Sequence, residues 1–394
     1  MTRSHAADDV TRALAERTGT DARDWHLVFK ARYGMQVVLQ ALAATGGQGE
    51  VVTQVFTCCT AVDPVLAAGL RPVYGEVSPG TIALDPDRLD RDGLVAGGRT
   101  RAVVLQHTFG IVDDGASRRL RAAADAAGAL LLEDAAHCLG RMARREDGTP
   151  LADVSVHSFG VEKMLPTKFG GAVWVSPRLR GEPLGQRMVR DLAALPAIGR
   201  RLDLATRLYR TQLRVLGRLP AAVAGPVRGL LTRTGTFEPA IAPVEQRGAL
   251  AHPPMRPSPA VVRAMAAGLA TLDAEEARRA AAVARYVAAL GDVVEVPAAV
   301  AADAPLVRFP LFVRETGTAE RVFAALTEAG FRPGRWYRPA LFPGVDDPAV
   351  YGYVPGDPGI ATTEGLIARV VNLPTGVDVA TADRIAAVVR RVIG

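Results

Sequence analysis

The 394-residue sequence predicts an α/β fold with a mainly parallel central sheet, helices on both faces, and a smaller α+β C-terminal domain. Three observations predict it. Across residues 50–176, short β-branched or aliphatic runs alternate with alanine-rich stretches, the pattern of parallel strands joined by crossover helices. A proline-rich passage at 251–259 reads as a linker to a second region. The chain is 49% hydrophobic and 22% charged, a balance that buries a large core and excludes disorder over most of its length.

Taken in order, the expected strands are 50–53, 71–76, 101–106, 129–133, 154–158 and 172–175, with helices at 57–68 and 115–127. Residues 184–236 read as an arginine-rich helical insertion interrupted by Pro196, Pro220 and Pro226. Beyond the linker, 260–290 is expected as one long alanine-rich helix, and 306–313, 322–329 and 381–392 build the small domain. The division is a large α/β domain at 1–250 and a linker helix with the α+β domain at 251–394. In such sheets ligands gather at the C-terminal ends of the strands.

Composition narrows the chemistry. Three cysteines, two of them adjacent (Cys58, Cys59) and one distant (Cys138), make neither a disulfide framework nor a usual zinc set, so no metal and a reducing, cytoplasmic setting are expected. No apolar run reaches the length of a membrane span. Only Lys30, Lys163 and Lys168 are lysines, so chemistry that needs a primary amine has three candidates. The net charge is +6, yet 184–236 holds ten arginines against Asp191 and Asp203. One basic stretch in an otherwise neutral chain does not indicate nucleic-acid binding. It reads either as a solvated helix face or as a contact with anionic lipid or a diphosphate-bearing substrate.

An aspartate directly follows the aliphatic run Leu131-Leu132-Glu133, and Lys163 lies 29 residues later, just after Ser158-Phe159. An acid and an amine at two strand ends can meet in one cleft. Pyridoxal phosphate (PLP) needs that pair: a lysine for the internal imine and a carboxylate that keeps the pyridine nitrogen protonated. A buried ion pair would leave the same trace in a sequence.

Glu133-Asp134-Ala135-Ala136-His137, Ser158-Phe159 with Lys163, and Gly170-Gly171-Ala172 together resemble the signature of the DegT/DnrJ/StrS-type sugar aminotransferases, which are fold type I PLP-dependent enzymes. Residues 50–77, Gln106-His107-Thr108-Phe109-Gly110 and Arg369-Val370-Val371-Asn372-Leu373-Pro374 are similar to further family blocks in the same order. The resemblance implies that Lys163 carries the cofactor and shuttles the proton, Asp134 pairs with the ring nitrogen, and His137 lies near the ring and its 3-hydroxyl. It further implies that Ser158 and the backbone N–H groups of Gly34 and Met35 hold the phosphate at a helix start. Lys30 and Lys168 lack the Ser-Phe context and are the weaker rivals for the amine.

Several positions depart from the family pattern. The usual Ser-Gly-Thr of the phosphate turn reads Tyr33-Gly34-Met35, Cys58 stands where an aromatic commonly stacks on the ring, and Gly160-Val161-Glu162 precedes Lys163 in place of His-Pro-Thr. The Asn-Tyr-Arg loop that reaches a neighbouring subunit reads Met255-Arg256-Pro257-Ser258-Pro259. Trp336, Tyr337 and Arg338 match a substrate-side stretch and form either a wall with a cation for a diphosphate or carboxylate, or an aromatic patch closing the small core. His107 reads as a strand-end packing residue or as a neighbour of the substrate.

The resemblance implies a homodimeric aminotransferase that moves an amino group from glutamate or glutamine to a keto sugar, expected to be nucleotide-linked, in amino-sugar or natural-product biosynthesis. Two other readings stay open: a PLP enzyme of different reaction type, such as decarboxylation, elimination or condensation at an amino-acid α-carbon, and a non-catalytic scaffold at a membrane surface through 184–236.

Overall fold

The computed structural model describes residues 5–95 and 98–394. Seven strands form the central sheet: β1 (Trp25–Val28), β2 (Glu50–Thr53), β3 (Arg71–Tyr74), β4 (Thr100–Gln106), β5 (Leu130–Ala135), β6 (Val154–Ser158) and β7 (Gly171–Val175). Their spatial order is β1-β7-β6-β5-β4-β2-β3. The run from β6 to β3 is parallel, and β7 and β1 extend it antiparallel. Every residue of β5, β6 and β7 is buried, as strands covered on both faces require. The expected mainly parallel α/β sheet is therefore present.

Among the described residues, eight helices accompany this sheet: α1 (His5–Thr18), α2 (Ala31–Gly46), α3 (Cys59–Ala67), α4 (Pro86–Arg91), α5 (Asp114–Ala126), α6 (Pro183–Ala193), α7 (Arg200–Leu216) and α8 (Ala221–Arg233). The pleat sends successive side chains to opposite faces. Ala102, Val104, Leu130 and Leu132 join the cluster that contains Val38 of α2 and Met188 of α6. Val103, Leu105 and Leu131 join Leu89 of α4 and Leu120 of α5 on the other face.

After α9 (Pro259–Leu269) and α10 (Leu272–Leu290), a second sheet pairs β8 (Arg308–Phe312) antiparallel with β9 (Val370–Pro374), accompanied by α11 (Thr316–Glu328), α12 (Ala361–Arg369) and α13 (Val379–Ile393). Tyr286, Phe309, Val322, Val371 and Ile385 form its core, and Phe56 and Phe109 of the large sheet's loops belong to the same cluster. The small sheet is thus packed against the C-terminal ends of β2 and β4.

Four expectations are corrected. The strand expected at 71–76 ends at Tyr74. The single helix expected over 260–290 is two, because the Thr271 hydroxyl donates to Gly268 O (2.8 Å) and Thr271 leaves helical geometry at φ −107°, ψ 2°. A threonine that bonds the preceding turn competes with helix continuation. Residues 251–259 are tied down: Phe29 N–H donates to Met255 O (2.8 Å) and Arg256 N–H to Pro196 O (2.7 Å). Pro226 lies inside α8, whereas Pro196 and Pro220 stand outside the helices. β1 and β9, four and five residues long, are additions to the sequence reading.

Phe309 is fully buried between the small sheet and Tyr286, with ring centroids 5.2 Å apart. Phe309→Ala is expected to cost about 3–5 kcal/mol, read as a lower midpoint in urea unfolding.

Candidate active site

The site follows from the register of three adjacent parallel strands. Gln106 of β4 pairs with Asp134 of β5, which pairs with Val156 of β6. By alternation these three, and Ser158 two residues on, face the side of the sheet that carries α2. All four line a cavity of about 310 Å³ at the strands' C-terminal ends. Lys163 lines it from the loop after β6, and Ala31, Arg32 and Met35 line it from the first turns of α2. The positive end of that helix therefore borders the cavity.

Glu133, one residue before Asp134, faces the opposite side. Its Oε1 accepts the Ala143 N–H (2.6 Å) and lies 2.8 Å from His107 Nε2. Asp134 is left to the cavity. One of its oxygens accepts the Ala136 N–H (3.0 Å), and it forms no ion pair among the described residues. Burial pushes its carboxyl above the usual range, against the pull of that N–H and of Lys163. A cation in the cavity is what would bring it back down.

The same burial lowers the Lys163 amine below the ordinary lysine range, with Cys58 and Asp134 opposing the shift. Lys163 Nζ sits 5.2 Å from the centre of the Trp336 ring. All three lysines of the chain line this one cavity, but in different states. Lys30 Nζ is ion-paired with Glu238 and donates to Pro239 O (3.1 Å). Lys168 forms no ion pair among the described residues and is half-buried beside Phe169. Lys163 is the first lysine after β6, the strand that pairs with the end of β5 at Asp134.

His137 receives the Phe109 N–H on Nδ1 (3.0 Å), so its proton is on Nε2, which faces the Tyr337 hydroxyl at 3.2 Å. Burial first, then Lys163 and Arg308, holds this ring well below the usual histidine range. It is stacked with Trp336 (5.1 Å, 11°) and with Tyr337 (6.1 Å, 2°). Trp336 and Tyr337 line the cavity and also pack in or against the core shared with Phe56 and Phe109. Ser158 Oγ accepts the Gly160 N–H (3.1 Å) and lines the cavity.

Cys58 lines the cavity next to Thr57 and Thr60. A hydrogen bond from Cys59, the Thr60 hydroxyl (3.0 Å) and the Arg32 charge hold its thiol below the ordinary cysteine range. His107 reaches the cavity while remaining bonded to Glu133.

Two expected site residues lie elsewhere. Gly34 does not border the cavity: α2 begins at Ala31, ahead of the expected turn, and a Cβ on Gly34 would stand 2.4 Å from Val173 Cγ2. It is there for helix-to-sheet approach. Arg338 is also outside the lining, with its guanidinium on Glu320 (2.7 Å). Conversely, Arg32, Gln106, Thr57, Lys30 and Lys168 enter the site without having been assigned to it. The scarcity of lysine was the sequence signal for the last two.

Residues 28–179 match the model of the DegT/DnrJ/EryC1/StrS aminotransferase family. The L-glutamine:2-deoxy-scyllo-inosose aminotransferase of Streptomyces kanamyceticus is 28% identical over 245 residues, which are 62% of this chain and 52% of that protein. The GDP-perosamine synthase of Vibrio cholerae is 28% identical over 35% of this chain and 36% of its own. The matched region thus spans about half or less of these relatives. Among solved structures, a DegT DnrJ EryC1 StrS aminotransferase from Brucella abortus has a TM-score of 0.67 at 20% identity, covering 99% of this chain and 91% of its own. NtdA from Bacillus subtilis with bound PMP has a TM-score of 0.69 at 16% identity, covering 100% of this chain and 78% of its own. These likenesses establish the fold.

Burial also lowers His157 to about 4, outweighing the attraction of Glu133. A histidine kept neutral in the folded chain but protonated near pH 6.5 when unfolded subtracts stability as pH falls below that value. His157→Asn is therefore expected to remove about 1.4 kcal/mol per pH unit from the acid-side loss of stability between about pH 6 and 5, measured as urea midpoints across that window.

Proposed function

We propose that this chain, whose residues 28–179 belong to the DegT/DnrJ/EryC1/StrS aminotransferase family, is a PLP-dependent aminotransferase that aminates a keto sugar. The observation that carries this reading is the joint lining of one cavity by Lys163 and Asp134 from the ends of two adjacent strands. The donor in this reading is glutamate or glutamine, and the acceptor sugar is nucleotide-linked. The names of the relatives support an amino donor and a sugar-like acceptor, and Lys168, at the cavity and without an ion pair among the described residues, suits an anionic substrate.

The residues present fit the cofactor. Asp134, buried and without a cationic partner, suits a protonated ring nitrogen. Ser158 and the first turn of α2 suit a phosphate. When bound, PLP supplies an electron sink that lets an amino group leave one carbon and join another. Everything else belongs to the chain. Lys163 would hold the cofactor and, with burial shifting its amine below the ordinary lysine range, take and return the proton at Nζ. Asp134 would hold a protonated ring nitrogen by its negative charge. His137, fixed by the Phe109 N–H and neutral, aligns the Tyr337 hydroxyl and the Trp336 face without adding charge. The aromatic wall and the small sheet behind it exclude water from that side.

Catalysis by a homodimer in the cytoplasm belongs to the same reading. The family resemblance supports the dimer, and three unpaired cysteines support a reducing compartment. Cys58 favours a second reading, another PLP reaction at an amino-acid α-carbon, because a small thiol grips a flat ring less firmly than an aromatic does.

One experiment separates them. PLP-loaded protein is mixed with glutamate or glutamine, and the absorption spectrum and 2-oxo acid release are followed. A transaminase converts the cofactor to its aminated form and releases one 2-oxo acid per site; an unchanged spectrum with both donors refutes the proposal. Lys163→Ala is expected to lower turnover about 10²–10⁴-fold while circular dichroism stays that of the parent.

A further inference from the structure

Helices α7 and α8 stand out from the rest of the chain in how little they bury. α7 turns Ala205, Tyr209 and Leu216 inward, and Tyr209 and Leu216 join the cluster of Trp25, Phe169 and Met265. Its outer face carries an apolar stripe: Leu204 is 55%, Leu208 42% and Val215 52% exposed. These positions, spaced four and seven apart, share one helical face. Arg200, Arg207 and Arg214, themselves spaced seven apart, run alongside it, and Arg218 follows just past the helix end; all four are exposed. α8 has no fully buried residue among those described, and Leu230 is 53% exposed.

The charge of this hairpin is one-sided. From Arg200 to Thr236 there are eight arginines and one acid, Asp203, which is already paired with Arg207 (2.7 Å). Among the described residues Arg200, Arg201, Arg214, Arg218, Arg228 and Arg233 have no ion pair. A second copy laid on this same face would set arginines against arginines, so like charge opposes a self-contact there. A surface rich in negative headgroups above an apolar layer matches both features at once, because arginines reach the headgroups while the leucine and valine stripe enters the acyl boundary. No helix among the described residues is long and apolar enough to cross a membrane, so the contact lies along the surface.

The hairpin is also the cavity's neighbour. Tyr209 packs edge-on against Phe169 (5.1 Å, 80°), and Arg210 donates to Pro166 O (2.6 Å). Phe169 and Lys168 line the cavity, so the segment that α7 holds is its rim.

We propose that α7 and α8 are an anionic-lipid docking surface that places the cavity mouth beside a bilayer. The acceptor entering that mouth is then one that is presented at a membrane surface; this clause alone rests on the sugar-aminotransferase reading.

The test is co-sedimentation of the full chain with vesicles of phosphatidylcholine alone and of phosphatidylcholine with phosphatidylglycerol, without any turnover measurement. Binding is expected only to the phosphatidylglycerol vesicles, and it should weaken as salt rises. Arg214→Gln with Arg218→Gln should weaken it about fivefold per arginine, and Leu204→Gln with Leu208→Gln should weaken it at least tenfold. Both pairs are exposed, and circular dichroism checks that each variant remains folded. No binding at low salt, equal binding to both vesicle types, or variants that bind as the parent does would each overturn the proposal. So would a leucine variant that splits a dimer into monomers yet binds vesicles unchanged, since the face would then belong to a second copy. If vesicle binding behaves as expected while glutamate and glutamine leave the cofactor spectrum unchanged, only the aminotransferase reading fails.

Discussion

The site depends on the pleat of one buried strand. At the end of β5, alternation turns Glu133 to one face of the sheet and Asp134 to the other. Glu133 is fully buried and is held through its Oε1 by His107 and by the Ala143 N–H. That anchoring leaves Asp134 as the one carboxylate of the pair aimed into the cavity, raised by burial and lacking a cation. A one-residue slip of β5 would turn Asp134 to the far face and put Glu133 or Ala135 in its place. The register with Gln106 and Val156 prevents it.

Around this carboxylate the chain assembles complementary parts from far apart in sequence. Lys163 comes from the next loop, the first turn of α2 supplies the helix end, and Trp336 and Tyr337 arrive from beyond α11 to stack on His137. The His137 ring stays neutral, because Nδ1 accepts a backbone N–H and burial disfavours a second proton. This keeps the aromatic wall from competing with Lys163 for charge. The small sheet matters to the site for that reason: Phe309 and Phe312 pack in the cluster that contains Tyr337, so the small core carries the wall.

The distribution of basic residues divides into two kinds of task. Lysine, rare in this chain, occurs only at the cavity, where an amine can titrate and react. Arginine does the structural and surface work. Arg279 donates to Val307 O (3.1 Å) and to Met164 O (3.2 Å), tying α10 to the small sheet and to the loop that carries Lys163. The arginines of α7 and α8 face solvent beside exposed leucine and valine.

Much of the sheet was legible because its central strands are buried on both faces and read as aliphatic runs: 50–53, 154–158 and the end of the run at Gln106 lie where the pattern puts them, and the strand expected at 129–133 runs over Leu130–Ala135. The resemblance in the same blocks located Asp134, His137, Ser158 and Lys163, all of which border the cavity. Short edge and pairing strands such as β1 and β9 left too little periodicity to read, since their stability comes from partners distant in sequence. Gly34 and Arg338 illustrate the same limit at the site. Residue type and neighbourhood suggested ligand contacts, but three-dimensional packing sent one against Val173 and the other to Glu320. By itself the sequence determined which groups were available: three amines, an acid at a strand end and a basic helical segment. Tertiary structure alone decided which of them meet, because strand register, helix entry and ion pairing are set by contacts between segments that no local pattern records.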